Sequence, residues 1–153
     1  MTSTFLNKRA IALDIGSKTV GIAKTDPTGI IVEPYDVLRY QSFEDTRIFQ
    51  PLTQVILDLE PITIVSGLPI NMDDSEGSQS KKVRNFIARF KKHFKANGHS
   101  IDKYEWVFWD ERLSTAYAEE FLIEQDVSRA KRKKVIDKMA AFYILSSYLE
   151  ENS

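Results

Sequence analysis

The sequence predicts an α/β fold built on a mixed sheet of five strands, the first three antiparallel, flanked by helices. Three observations predict it: strand-like runs follow one another at the N-terminus, strand and helix patterns then alternate, and the chain closes on helical periodicity. One domain over residues 1–153 is expected, because this length builds one ordinary core and is short for two.

The first strand is Arg9 to Ile15. Its side chains alternate, so Ala10, Ala12 and Asp14 share one face while Ile11, Leu13 and Ile15 share the other. Small neighbours let another element pack close to Asp14, where an ionised carboxylate is costly unless something positive compensates it. The turn Gly16-Ser17-Lys18-Thr19 leads to a second strand, Val20 to Thr25, and a third lies near Ile30 to Tyr40. A helix begins after Ser42, where Pro51 must break, kink or restart it, and Leu52, Val55, Ile56 and Leu59 supply its later apolar spacing.

Ile62 to Ser66 is a short buried strand ended by Gly67-Leu68-Pro69, and Asn71 to Gly77 is a polar loop of turn formers. From Ser78, the positions Val83, Phe86, Ile87, Phe90 and Phe94 recur at helical spacing until Asn97-Gly98 stops them. Lys103 to Trp109 is an aromatic-rich strand, Ser114 or Thr115 can cap the next helix, and a last helix runs from about Arg132 to Leu149. In open sheets of this kind ligands gather beyond the carboxyl ends of the strands, where Asp14, Gly67 and Asp110-Glu111 all fall.

Composition narrows the function classes. The 42% hydrophobic and 28% charged content is that of a globular chain, and the absence of cysteine excludes disulfides and thiolate-bound zinc, which suits the cytoplasm. Met1 to Arg9 has no apolar run of signal-peptide length, and no later stretch approaches the ~20 apolar residues of a membrane span. A net charge of −1 argues against coating nucleic acid by bulk electrostatics, so such binding must come from local patches. One candidate is the Lys81 to Lys95 stretch, with Arg84 and Arg89; the other is Arg129-Ala130-Lys131-Arg132-Lys133-Lys134. Alone, either reads as a solvated face.

Three acidic positions stand out. Asp14 ends an apolar strand, although an Asx turn would also place it there. Asp137 precedes Ala140, Ala141, Ile144 and Tyr148 at helical intervals, which puts an acid on a core-facing stripe; a structural ion pair with the neighbouring Arg/Lys run is the alternative. Asp110 follows the face of Tyr104, Trp106 and Phe108, whereas Glu111 follows Glu105, Val107 and Trp109, so one residue of register sends the two acids to opposite sides. Either could instead pair with Arg112 or cap the next helix.

The segments Leu13 to Ala23 (Leu-Asp-Ile-Gly-Ser-Lys-Thr-Val-Gly-Ile-Ala), Val65 to Asp73, Glu76-Gly77 with the Val83 to Phe86 helix, Asp110 to Thr115 and Val135 to Ala141 together resemble the YqgF (RuvX) family. Its members are described as Holliday junction resolvases or as nucleases that process the precursor of small-subunit (pre-16S) ribosomal RNA. The resemblance spans nearly the whole chain in order. It implies an RNase H-like fold with catalytic carboxylates at Asp14, at Asp110 or Glu111, and at Asp137, of which Asp14, Glu111 and Asp137 would bind metal; it favours Glu111 of the adjacent pair. Two departures fall in the loop: Asp74 stands where the family often has glycine, and Ser78 where proline is common.

Such a site implies phosphodiester hydrolysis with two Mg²⁺ or Mn²⁺ ions about 3.5 to 4 Å apart. Substrate-binding candidates are Lys18, Asn71, Arg112, Lys131, Lys133 and Lys134. The expected substrate is structured RNA such as pre-16S rRNA, or branched DNA, with ribosomal precursor particles as a partner and a monomer or weak homodimer as the assembly. Two other classes stay open. One is a non-catalytic RNase H-like binding module; the other is an actin or sugar-kinase phosphate loop, which would need a second domain.

Overall fold

The computed structural model describes residues 6–153, so part of the Met1 to Arg9 reading lies outside the described residues. Strands β1 (Ala10–Ile15), β2 (Thr19–Thr25), β3 (Val32–Arg39), β4 (Thr63–Leu68) and β5 (Glu105–Asp110) form one sheet in the order β3-β2-β1-β4-β5. β1 pairs antiparallel with β2 and β2 with β3, whereas β1–β4 and β4–β5 are parallel. The mixed, five-stranded sheet is the one expected. β1 is central, which explains its continuous burial up to the partly buried Asp14.

Helices α1 (Phe49–Leu59) and α2 (Ser78–Ala96) cover one sheet face. Ile11, Leu13, Val20 and Ile64 pack there against Phe49, Phe86, Phe90 and Phe94. The opposite face is small: Ala10, Ala12, Ala23 and Val65 meet Ala141, Ile144 and Leu145 of α5 (Ala140–Glu151). Asp14 lies on this second face, where the alanines let α5 approach closely.

Several boundaries differ from expectation for identifiable reasons. A short 3₁₀ turn, Thr46–Ile48, precedes α1, and Pro51 occupies the first turn of α1, where its missing N–H would have no intrahelical partner anyway. It therefore neither breaks nor kinks the helix. β4 continues through Gly67 and Leu68 because both pair with β5. Lys103 belongs to a 3₁₀ turn and the strand starts at Glu105. Helix α3 (Glu111–Glu124) begins before Ser114, and its cap is Asp110, whose carboxylate accepts the Arg112 backbone N–H.

The last helix is two. α4 (Arg129–Lys138) has no buried residue, whereas α5 buries Ala141, Tyr143, Ile144, Leu145 and Ser147. The chain bends at Met139 (φ −109°, ψ 23°), which lets α5 lie on the sheet while the basic α4 packs beside α3. Asp137 therefore precedes the bend and is exposed, not part of a buried stripe.

Candidate active site

Asp14, Glu111 and Asp137 line one cavity of about 210 Å³, together with Ser114, Thr115 and Tyr143. Asp14 reaches it from the tip of β1, Glu111 from the first turn of α3, and Asp137 from the end of α4. Gly67 makes room for this meeting. A Cβ there would stand 2.7 Å from Glu111 Oε1 and 2.5 Å from Ile144 Cδ1, so any larger residue at the β4 tip would make the ends of both side chains shift.

Burial, then the nearby Asp137 charge, raises the Asp14 carboxyl above its ordinary value. Burial pushes Glu111 up to about 7, with Asp14 and then Asp110 adding repulsion. Among the described residues, neither acid is ion-paired with a lysine or arginine. Nor do any three His, Cys, Asp or Glu side chains gather tightly enough to hold an ion.

Asp110 is placed differently. It lies outside the cavity, caps α3 and pairs with Arg112 Nη2 at 2.7 Å. Burial raises its carboxyl, but the Arg112 hydrogen bonds and charge outweigh that and leave it below the usual range.

Arg112 is itself committed: its Nη1 donates to Asp74 Oδ1 at 2.9 Å and to the Asn71 carbonyl at 3.1 Å. It therefore staples the 71–75 loop to the β5–α3 junction. Asn71 donates to Ser75 Oγ at 3.0 Å within that loop, and Lys18 Nζ donates to the Gln41 carbonyl at 2.6 Å. None of these three lines the acidic cavity.

The two basic stretches separate. α2 lies across the sheet from the acids, and several of its charges are engaged: Arg84 pairs with Glu76 at 2.6 Å, Arg89 donates to the Phe43 carbonyl, and Lys91 sits 4.9 Å above the Trp106 ring, while Lys81, Lys92 and Lys95 are exposed. α4 flanks the site. Lys133 and Lys134 share a groove of about 940 Å³ with Arg129 and Asp137, while Lys131 is exposed outside it.

Sequence reasoning misses two contributors. Tyr40 donates its hydroxyl to the Gly16 carbonyl and so anchors the turn just beyond Asp14. The sequence puts Gly67 among the strand ends where ligands gather, but as a strand terminator; the space it leaves for Glu111 goes unread, although a glycine inside an apolar strand signals a close approach.

A β3-β2-β1-β4-β5 sheet with an acid at the tip of its central strand is the RNase H-like architecture. The fold is shared with Thermus thermophilus RuvC in complex with a Holliday junction substrate (TM-score 0.55, 12% identity, 94% of this chain and 96% of that one). It is shared too with the fowlpox virus Holliday junction resolvase (TM-score 0.51, 15% identity, 95% and 99%).

The chain belongs to the RuvX family, described as Holliday junction resolvase, whose sequence profile matches residues 8–151. A relative from Staphylococcus epidermidis is 43% identical over 145 residues, covering 95% of this chain and 97% of its own. Another, from Desulforamulus reducens, is 41% identical over 145 residues, covering 95% and 98%. Both bear the name "Putative pre-16S rRNA nuclease".

Proposed function

We propose that this chain is a metal-dependent endonuclease that hydrolyses phosphodiester bonds in the 5′-end maturation of precursor 16S ribosomal RNA, working in the cytoplasm. The observation that carries the reading is the partial burial of Asp14 and Glu111 at one cavity with no ion-paired lysine or arginine among the described residues. Two like charges in a partly dry site favour a hard divalent ion, and oxygen donors suit Mg²⁺ or Mn²⁺. Asp14 and Glu111 would hold it, with Asp137 drawn in from the exposed end of α4. When bound, the metal would polarise a phosphoryl oxygen and acidify water.

The protein's own groups do the rest. The acids fix where the scissile phosphate sits, Gly67 keeps that space open, and Lys133 and Lys134 offer positive charge to neighbouring phosphates. The names carried by relatives at about 40% identity support RNA as the substrate. Membership of a family described as Holliday junction resolvase favours a second reading, cleavage of branched DNA, which would call for paired copies to cut two strands.

Cleavage of an end-labelled precursor rRNA leader beside a four-way DNA junction, with Mg²⁺, Mn²⁺ or EDTA, tests both. Metal-dependent cutting of the RNA that disappears in Asp14→Asn and in Asp137→Asn is expected. Unchanged turnover in both variants would sink the metal-site reading, and cutting of the junction alone would choose the second.

A further inference from the structure

Two grooves leave the acidic cavity on different sides. The one toward α3 shares Thr115, Ile136 and Asp137 with it and is the basic groove of Lys133 and Lys134. The other, about 390 Å³, opens toward the β3 edge and shares Asp14 and Ala140 with the cavity. Gly21 lines it from β2, Pro34 and Val37 from β3, and Met139 and Phe142 from the cap and first turn of α5. Among the described residues that line it, Asp36 and Lys138 are the charged ones beyond Asp14. Val37 is 51% exposed although β3 has other, polar positions.

A phosphate track has no use for such a wall. A flat aromatic ring does, because the apolar side chains that line the groove from β3 and from α5 can pack on the faces of a base. Resting on the nuclease reading above, we propose that the β3–α5 groove is a nucleobase subsite that seats the base of an unpaired nucleotide flanking the cleaved bond. The basic groove then follows the backbone on the other side of the acids. A base inside a duplex is covered by its neighbours and cannot enter, so the substrate class is RNA that is single-stranded on the β3 side of the cut.

The test reads binding, so it does not depend on turnover. Fluorescence anisotropy in Mg²⁺ would compare cleavage-resistant phosphorothioate RNA as an intact single strand, as strands with one abasic residue at successive positions, and as a duplex. With the wild-type chain, one abasic position should weaken binding about tenfold, the scale of removing one stacked base, and the duplex should bind more weakly than the intact strand. Val37→Asn, a neutral change at an exposed edge position, should weaken the intact strand similarly and abolish the abasic penalty.

Equal binding of all abasic strands, a penalty that survives in Val37→Asn, or duplex binding as tight as single strand would overturn the subsite. Failure of the nuclease reading shows elsewhere, as absent cleavage or cleavage indifferent to Asp14→Asn.

Discussion

Burial and the facing Asp14 charge hold Glu111 near 7, against an ordinary 4.5. Between those values the folded chain binds the proton more tightly than the unfolded chain does, so stability falls as pH rises. The contribution is fully present below about 4.5 and is lost as pH passes through about 7. Glu111→Gln, which cannot ionise, should therefore raise metal-free stability at pH 8 by on the order of 1–2 kcal/mol and change it little at pH 4. Urea unfolding at the two pH values checks this, and an equal effect at both would mean that Glu111 carries no strain from charge. Gly67→Ala should do the reverse: its methyl would press on Ile144 and Glu111, costing about 1–3 kcal/mol and displacing the Glu111 carboxylate from the cavity. Cleavage and stability to urea, measured together, should both decline. Alternation along β5 already separates Asp110 from Glu111 in the sequence, since Trp106 and Phe108 pack on the α1/α2 side while Val107 and Trp109 pack on the α5 side. What alternation cannot supply is the end of the strand between the two acids and the α3 cap that Asp110 makes there.

Among the elements, the loop between β4 and α2 depends on one unusual residue. Asp74 has φ +69°, a region that favours glycine, and it offsets the strain with its 2.9 Å ion pair to Arg112. Asp74→Ala keeps the strain and loses the pair, whereas Asp74→Gly loses the pair but relieves the strain, so the glycine variant should be the more stable of the two by about 1 kcal/mol. Urea midpoints would show it, and an alanine variant at least as stable would remove strain from the account. The order of strands and helices is legible in the sequence because each period is local. The bend at Met139 is not: apolar spacing runs through it, no Gly or Pro marks it, and the bend arises because α5 finds the sheet while the charged α4 does not. Placing α4 beside the acids makes Lys133 and Lys134 the lysines to test. Replacing both with Ala should weaken RNA binding and flatten its dependence on log salt by about 0.7 for each phosphate no longer neutralised, and an unaltered slope would take α4 off the substrate path.

Across the whole molecule, a net charge of −1 conceals a division between the faces. On one side of the sheet the α2 cations Arg84, Arg89 and Lys91 are tied to Glu76, Phe43 and Trp106, while Asp14 and Glu111, which have no ion pair among the described residues, meet on the other beside the basic α4. Sequence spacing identifies both sets of charges but not which face each helix covers, because that is decided by the matching of large residues on α1 and α2 to one side of the sheet and of small ones on α5 to the other. On the proposed metal-site reading, the partly buried acids would couple metal to the stability of the entire fold. An ion that binds the folded chain alone stabilises it by about 2.7 kcal/mol at a hundredfold excess over its dissociation constant, which for a chain of this size is roughly 5–10 °C in Tm. Mn²⁺ or Mg²⁺ should therefore raise the melting temperature of the wild type, and the rise should be larger at pH 8 than at pH 6 because Glu111 must release its proton to ligate. Asp14→Asn and Glu111→Gln should melt at temperatures indifferent to either ion. A metal-dependent rise that persists undiminished in both variants would place the cation elsewhere on the protein and leave the paired acids without the partner their burial calls for.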